Sequence, residues 1–208
     1  MKRLSLIKEF GGILSKEIGW TWPFFLIGCL FQRNALFQKT HWSQSSPLVD
    51  EAKYVKDLTI IPTIYLQLEK KIGREKATQV IDRILEVTGD ALYQPALELA
   101  AASEQSGIAR FMAFRSKMDL SQADRFNKKT YLNVDDRSCH YILTKCLPNE
   151  LFTELGIPEL TRTVCKGDEK FFRKAFPDLV FSRGDSWENT MAYGKDHCEY
   201  QLTVKPGV

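Results

Sequence analysis

Apolar residues recur at helical spacing through roughly the first 127 positions and at strand spacing after Lys128. Leu4, Ile7, Phe10 and Leu14 predict a first helix, weakened by the Gly11-Gly12 pair. A loop is expected near His41 to Pro47. From Val49 to Ile72 the stripe Ala52, Val55, Leu58, Ile61, Tyr65 and Leu68 predicts one helix with a kink at Pro62, closed by Gly73. Two further helices follow at Arg74 to Val87 and Ala91 to Glu104, and a shorter one at Ile108 to Met118.

Beyond Lys128, Thr130 to Val134 and Ser138 to Cys146 read as strands joined by a turn at Asp135, Asp136 and Arg137. Leu179 to Arg183 and His197 to Val204 read as two more. In the last, Cys198, Tyr200, Leu202 and Val204 alternate with His197, Glu199, Gln201 and Thr203, so Cys198 is expected to face inward. On the second strand, alternation puts His140, Ile142, Thr144 and Cys146 on one face and Cys139, Tyr141, Leu143 and Lys145 on the other.

Between the strand pairs, Pro158 to Phe176 gathers Leu160, Val164, Cys165, Phe171, Phe172, Ala175 and Phe176 into one apolar arc at about 100° per residue. A helix laid across an antiparallel sheet of about four strands follows. The expected fold is α+β in a single domain over 1–208, with 1–127 mainly helical and 128–208 mixed.

Asp168 falls in the middle of that apolar arc, while the other charges beyond the first turn project to the opposite side. A carboxyl in such a place must be hydrogen-bonded, paired or protonated. Cys165 stands one turn earlier at i−3, close enough to share a pocket with it. The pair is a candidate reaction site; the plainer alternative is an acid that accepts backbone N–H bonds beside a packing cysteine.

The chain has 208 residues, 44% of them hydrophobic, with 29 basic and 26 acidic residues well mixed and a net charge of +3. No basic stripe argues for a nucleic-acid partner. Cys29, Cys139, Cys146, Cys165 and Cys198 are odd in number and widely spaced, which reads as reduced thiols in a cytoplasmic protein. No C-x₂₋₄-C pair points to zinc, so no metal is expected, and nothing in the sequence points to an organic cofactor. Ile18 to Phe31 holds 14 uncharged residues, too few for a bilayer span of about 20, and Pro23 interrupts it. Such a run more commonly serves a core-facing helix or the surface of a homodimer, although its two tryptophans and three phenylalanines could dip into a membrane interface.

Four stretches in order carry a family likeness: Cys146-Leu147-Pro148; Leu155-Gly156-Ile157-Pro158-Glu159-Leu160; Cys165-Lys166-Gly167-Asp168; and Gly194-Lys195-Asp196-His197-Cys198-Glu199-Tyr200. Over these sixty or so residues the chain resembles the L-2-amino-thiazoline-4-carboxylic acid hydrolases, although Glu199-Tyr200 stands where that family commonly has Asp-Phe. The resemblance implies hydrolytic opening of a small ring with a C=N bond, as in a 2-aminothiazoline carboxylate going to N-carbamoylcysteine. Such chemistry needs an activated water or thiolate, a proton donor, and a cation or N–H cluster for the carboxylate.

Cys165 would be the nucleophile of a covalent route, with Asp168 as acid or base. An apolar setting would favour proton transfer by Asp168 and hinder thiolate formation at Cys165. His140 could activate a thiol or a water if its face turned toward the helix; Cys146 and Cys198 could line the pocket, and Trp187 could stack on a substrate or pack on the sheet. The closing Gly-x-x-x-Cys-Glu-Tyr is also similar to 4-vinyl-reductase-like sensor domains, which implies a binding module using the same pocket. A tailoring enzyme with another ring-forming, ring-opening or dehydrating step is a third reading.

Overall fold

The computed structural model describes residues 2–45, 49–102, 106–119 and 125–207, with all their side chains except those of 2–7, 45, 49, 90 and 92. Its helices are α1 (Lys2–Ile18), α2 (Trp22–Phe37), α3 (Trp42–Ser45), α4 (Val49–Leu58), α5 (Ile60–Ile72), α6 (Arg74–Ala101), α7 (Gly107–Asp119), α8 (Leu147–Glu154) and α9 (Glu159–Ala175). The strands are β1 (Lys128–Val134), β2 (Ser138–Lys145), β3 (Leu179–Ser182) and β4 (Cys198–Val204). The fold is α+β, and it divides into two units, Met1–Ala91 with Glu150–Val164, and Leu92–Asn149 with Cys165–Val208.

The first unit is helical. Its Gly11-Gly12 pair does not break α1, because Gly11 meets a specific need: a Cβ there would lie 2.8 Å from two ring carbons of Trp22. Leu4 and Ile7 lie outside the described side chains. A 3₁₀ turn at Gly19–Thr21 separates α1 from α2, and Pro23 opens α2 rather than interrupting it, since a first-turn residue has no intrahelical use for an N–H. The same logic corrects the predicted kink at Pro62. The chain breaks earlier, at Thr59, and Pro62 sits in the first turn of α5, where its missing donor costs nothing. Hydroxyls bridge the break: Thr59 Oγ1 donates to the Val55 carbonyl and Thr63 Oγ1 to the Thr59 carbonyl, both at 2.7 Å.

The helices predicted at 74–87 and 91–104 are one element, α6, in which Gly89 and Pro95 are both accommodated. The predicted end at Glu104, like part of the loop near Pro47, lies outside the described residues. Leu14, Phe25, Cys29, Val55, Tyr65, Leu68, Val80 and Ile81 are buried here, and the Tyr65 hydroxyl donates to Glu159 Oε1 at 3.2 Å.

The second unit holds an antiparallel sheet in the order β1-β2-β4-β3. Asp135 fixes its first turn, accepting from the Arg137 and Ser138 backbone N–H groups, the Ser138 hydroxyl and the Asn133 amide. Those four donors, led by Asn133, hold its carboxyl down at about 2. Cys139, Tyr141 and Leu143 of β2 share the core face with Cys198, Tyr200 and Leu202 of β4, in register Tyr141 against Tyr200. Phe171, Phe172 and Phe176 of α9 close this core. The Phe172 ring meets Phe181 of β3 at 4.9 Å and Phe111 of α7 at 5.9 Å, so the helix lies over the sheet as its apolar arc requires.

Candidate active site

Strand β3 ends at Ser182, and the next residue delivers a charge to the core side. Arg183 lies one past the strand, and its side chain is 0% exposed. The guanidinium lies over the rings of Tyr200 at 4.3 Å, Trp187 at 4.9 Å and Phe181 at 5.6 Å. Nη1 donates to the Glu199 carbonyl at 3.3 Å, and Nη2 stands 3.4 Å from Asp168 Oδ2. Nε is buried without a protein partner. The loop after it is fixed by Asn189, which donates to the Arg183 carbonyl at 3.0 Å and to Asp185 at 2.8 Å. Gly184 takes φ +74°, a backbone conformation that favours glycine.

Asp168 faces this cation from α9, and the Tyr200 hydroxyl donates to the same Oδ2 at 3.1 Å. The carboxylate is paired, as an acid on an apolar face must be. Its side chain is 23% exposed, so the fully dry setting expected from the helical projection is not observed; the carboxylate sits at the edge of the core.

Three thiols surround this group. Burial, with the Asp168 charge added, pushes the Cys165 thiol up to about 12, against which Arg183 pulls only partly. Burial also raises Cys146, with Cys165, Cys198 and Asp168 acting in the same direction. Cys198 is raised by burial as well, opposed by the Met191 backbone N–H that points at its sulfur from 3.3 Å. Burial pulls Arg183 down, but Tyr200, Asp168 and Cys165 outweigh it and hold the guanidinium above its ordinary value. Burial likewise raises the Tyr200 hydroxyl.

The structure thus brings together Asp168, Cys165, Cys146 and Cys198, with Trp187 stacked on the cation. Two expectations are corrected. Cys146 was grouped by alternation with His140, but β2 ends at Lys145; past the strand the parity no longer applies, and Cys146 packs against the core cluster. His140 stays on the opposite face of the sheet, 3.1 Å from Glu199 Oε1, and its side chain does not turn toward α9. Arg183 and Tyr200 were missed. Arg183 gave the same signal as Asp168, a charge on an apolar face, and the glycine after it marked a turn at that point.

Among the described residues no three His, Cys, Asp or Glu side chains are arranged to hold a metal ion, and no helix is long and apolar enough to cross a membrane. A separate open cleft of about 400 Å³ lies between α7 and the β1–β2 turn, lined by Ile108, Met112, Val134, Asp135 and Asp136 among others; no predicted site residue lines it.

A family model described as L-2-amino-thiazoline-4-carboxylic acid hydrolase matches residues 55–202. The chain belongs to this family. The match takes in Asp168, Arg183, Tyr200 and the three thiols. Membership supports a hydrolase-like function. No curated protein matches the chain. Two crystal structures of a Fe(II) unliganded H-NOX protein from K. algicida, one of them a single-site mutant, align with 98% of this chain and 96% of theirs at 8% identity and a TM-score of 0.39. That likeness is too weak to bear on this chain's fold or ligands.

Proposed function

We propose that the second unit hydrolyses a small anionic heterocycle with a C=N bond, of the 2-aminothiazoline carboxylate kind, with Asp168 as the proton-exchanging group. The observation that carries this reading is the Asp168 carboxylate held between the Tyr200 hydroxyl and the Arg183 guanidinium, one helical turn from the Cys165 thiol, in a chain of a hydrolase family. A thiol at about 12 is ionised in roughly one molecule in 10⁵ at neutral pH. Attack by water is therefore favoured over a covalent route, and Cys165 serves as an apolar neighbour of Asp168 together with Cys146 and Cys198.

In the proposed step Asp168 takes a proton from water as its oxygen bonds to the amidine carbon. The ring carbon–sulfur bond then breaks, the sulfur leaves with the proton from Asp168, and the second water proton passes to the ring nitrogen as the carbonyl forms. Arg183, covered by Trp187, holds Asp168 in place from inside the core. The substrate gains one water.

Incubation with 2-amino-thiazoline-4-carboxylate and a panel of cyclic amidines and lactams, followed by mass spectrometry, tests this; no gain of one water across the panel sinks it. Asp168→Asn should lower kcat by about 10²–10⁴-fold at nearly unchanged ligand affinity.

One observation favours a second reading, a small-molecule-binding module: none of the three thiols has a partner that lowers it below its ordinary value. On that reading Asp168→Asn weakens binding, and no turnover exists to lose.

A further inference from the structure

In the first unit, α2 has two apolar faces and buries one. Phe25, Cys29 and Phe37 are buried, while Phe24, Ile27, Leu30 and Phe31 are 67%, 50%, 53% and 78% exposed, and Trp20 of the preceding turn is 80% exposed. Positions 20, 24, 27 and 31 follow one helical stripe. From Gly19 to Gln32 the sequence holds no charge, and Gly28 lies in the stripe with nothing within 4 Å of a Cβ built there. Monomers rarely leave so much contiguous apolar surface open.

The area and the charge pattern decide what covers it. With about 200 Å² for each large side chain, these exposures come to on the order of 650 Å² per copy, so two copies would bury about 1,300 Å², within the range of specific interfaces. An uncharged face rich in aromatic residues is complementary to itself, and enrichment in Trp and Phe with depletion of charge is the composition of an interface core. Gly28 at mid-stripe lets two such helices approach closely. A lipid surface is the poorer fit, because stable interfacial binding draws on flanking basic side chains. Among the described side chains of neighbouring α1 the exposed cations are Lys8 and Lys16, and Arg33 at the far end of α2 is paired with Asp57 at 3.3 Å.

We propose that the chain forms a two-fold homodimer through the open face of α2. Sedimentation equilibrium of the full chain should show a concentration-dependent monomer–dimer equilibrium. Phe24→Asp with Phe31→Asp should weaken association by at least about 100-fold, because four acids meet across the axis, with helicity by circular dichroism unchanged. In a second variant, Gly28→Cys, a short bis-maleimide should link the two copies. A wild-type chain that stays monomeric overturns the proposal, and so does binding of the monomer to zwitterionic vesicles in its place. A dimer that survives the double substitution, or that Gly28→Cys fails to crosslink, overturns the assigned face.

Discussion

Asp168 and Arg183 carry opposite charges with unequal access to water, and that inequality sets what each contributes. Arg183 is 0% exposed, so deleting its acid leaves a guanidinium with one carbonyl acceptor and three ring faces. Asp168 is 23% exposed, so deleting the cation leaves a carboxylate that keeps the Tyr200 hydroxyl and gains water. Removing one partner of a fully buried pair costs roughly 3–5 kcal/mol, and partial hydration reduces that cost. Asp168→Ala should therefore destabilise by about 3 kcal/mol and Arg183→Met by about 1–2, with the double variant milder than the two losses added. Urea unfolding checks the order, and a reversed order would assign the stability to the stack of Arg183 on Tyr200 and Trp187 instead. Asp168 was legible because the charges around it on its helix all fell on the other side. Arg183 broke the same rule, but its strand is four residues long and it lies one past the end, where alternation carries less weight. Tyr200 was legible as an inward residue and not as a donor, since one side chain serves both uses.

At the scale of elements, Gly11 and Gly12 are neighbours on α1 with opposite needs. A methyl at Gly11 would sit 2.8 Å from two atoms of the Trp22 ring, a rigid group that must move as a whole, whereas Gly12 has no atom within 4 Å. Alanine gains up to about 1 kcal/mol over glycine in an exposed helix interior, and overpacking costs about 1–3. Gly12→Ala should therefore raise stability by up to about 1 kcal/mol. Gly11→Ala should lower it by about 1–2 and shift the tryptophan emission, and thermal unfolding of the two single variants separates these outcomes. Nothing in the sequence distinguished the two glycines, because the contact reaches α1 from Trp22, beyond the range of a periodicity argument. The same limit explains the element boundaries. The gap predicted between Val87 and Ala91 is absent from α6, and the interruption predicted at Pro62 falls three residues earlier, at Thr59. The strands fared better, since β2 and β4 each bury one face and the two-residue period records it directly.

Across the molecule, the five cysteines act in concert without forming a site of their own. All five are free, and burial holds each above its ordinary value of 9.0: Cys29 and Cys139 at about 11, Cys165 at about 12, with Cys146 and Cys198 also raised. The spacing argument for reduced thiols anticipated their number and pairing state, while their burial came from the core face of β2 and β4 and from α9. A thiol raised in the folded state favours folding fully below the unfolded value. That contribution is lost as pH climbs from about 9, where unfolded thiols ionise, through the folded values of about 11 to 12. The urea midpoint should thus fall on going from pH 8 to pH 10.5, and a variant with Cys29 and Cys139 replaced by alanine should fall less steeply although it starts lower. Labelling with a thiol-specific disulfide reagent at pH 8 gives the kinetic counterpart: slow modification of the native chain and rapid modification of all five once urea unfolds it. One thiol reacting fast in the native state would identify an activated nucleophile, and if it were Cys165 the water route proposed for Asp168 would give way to a covalent one.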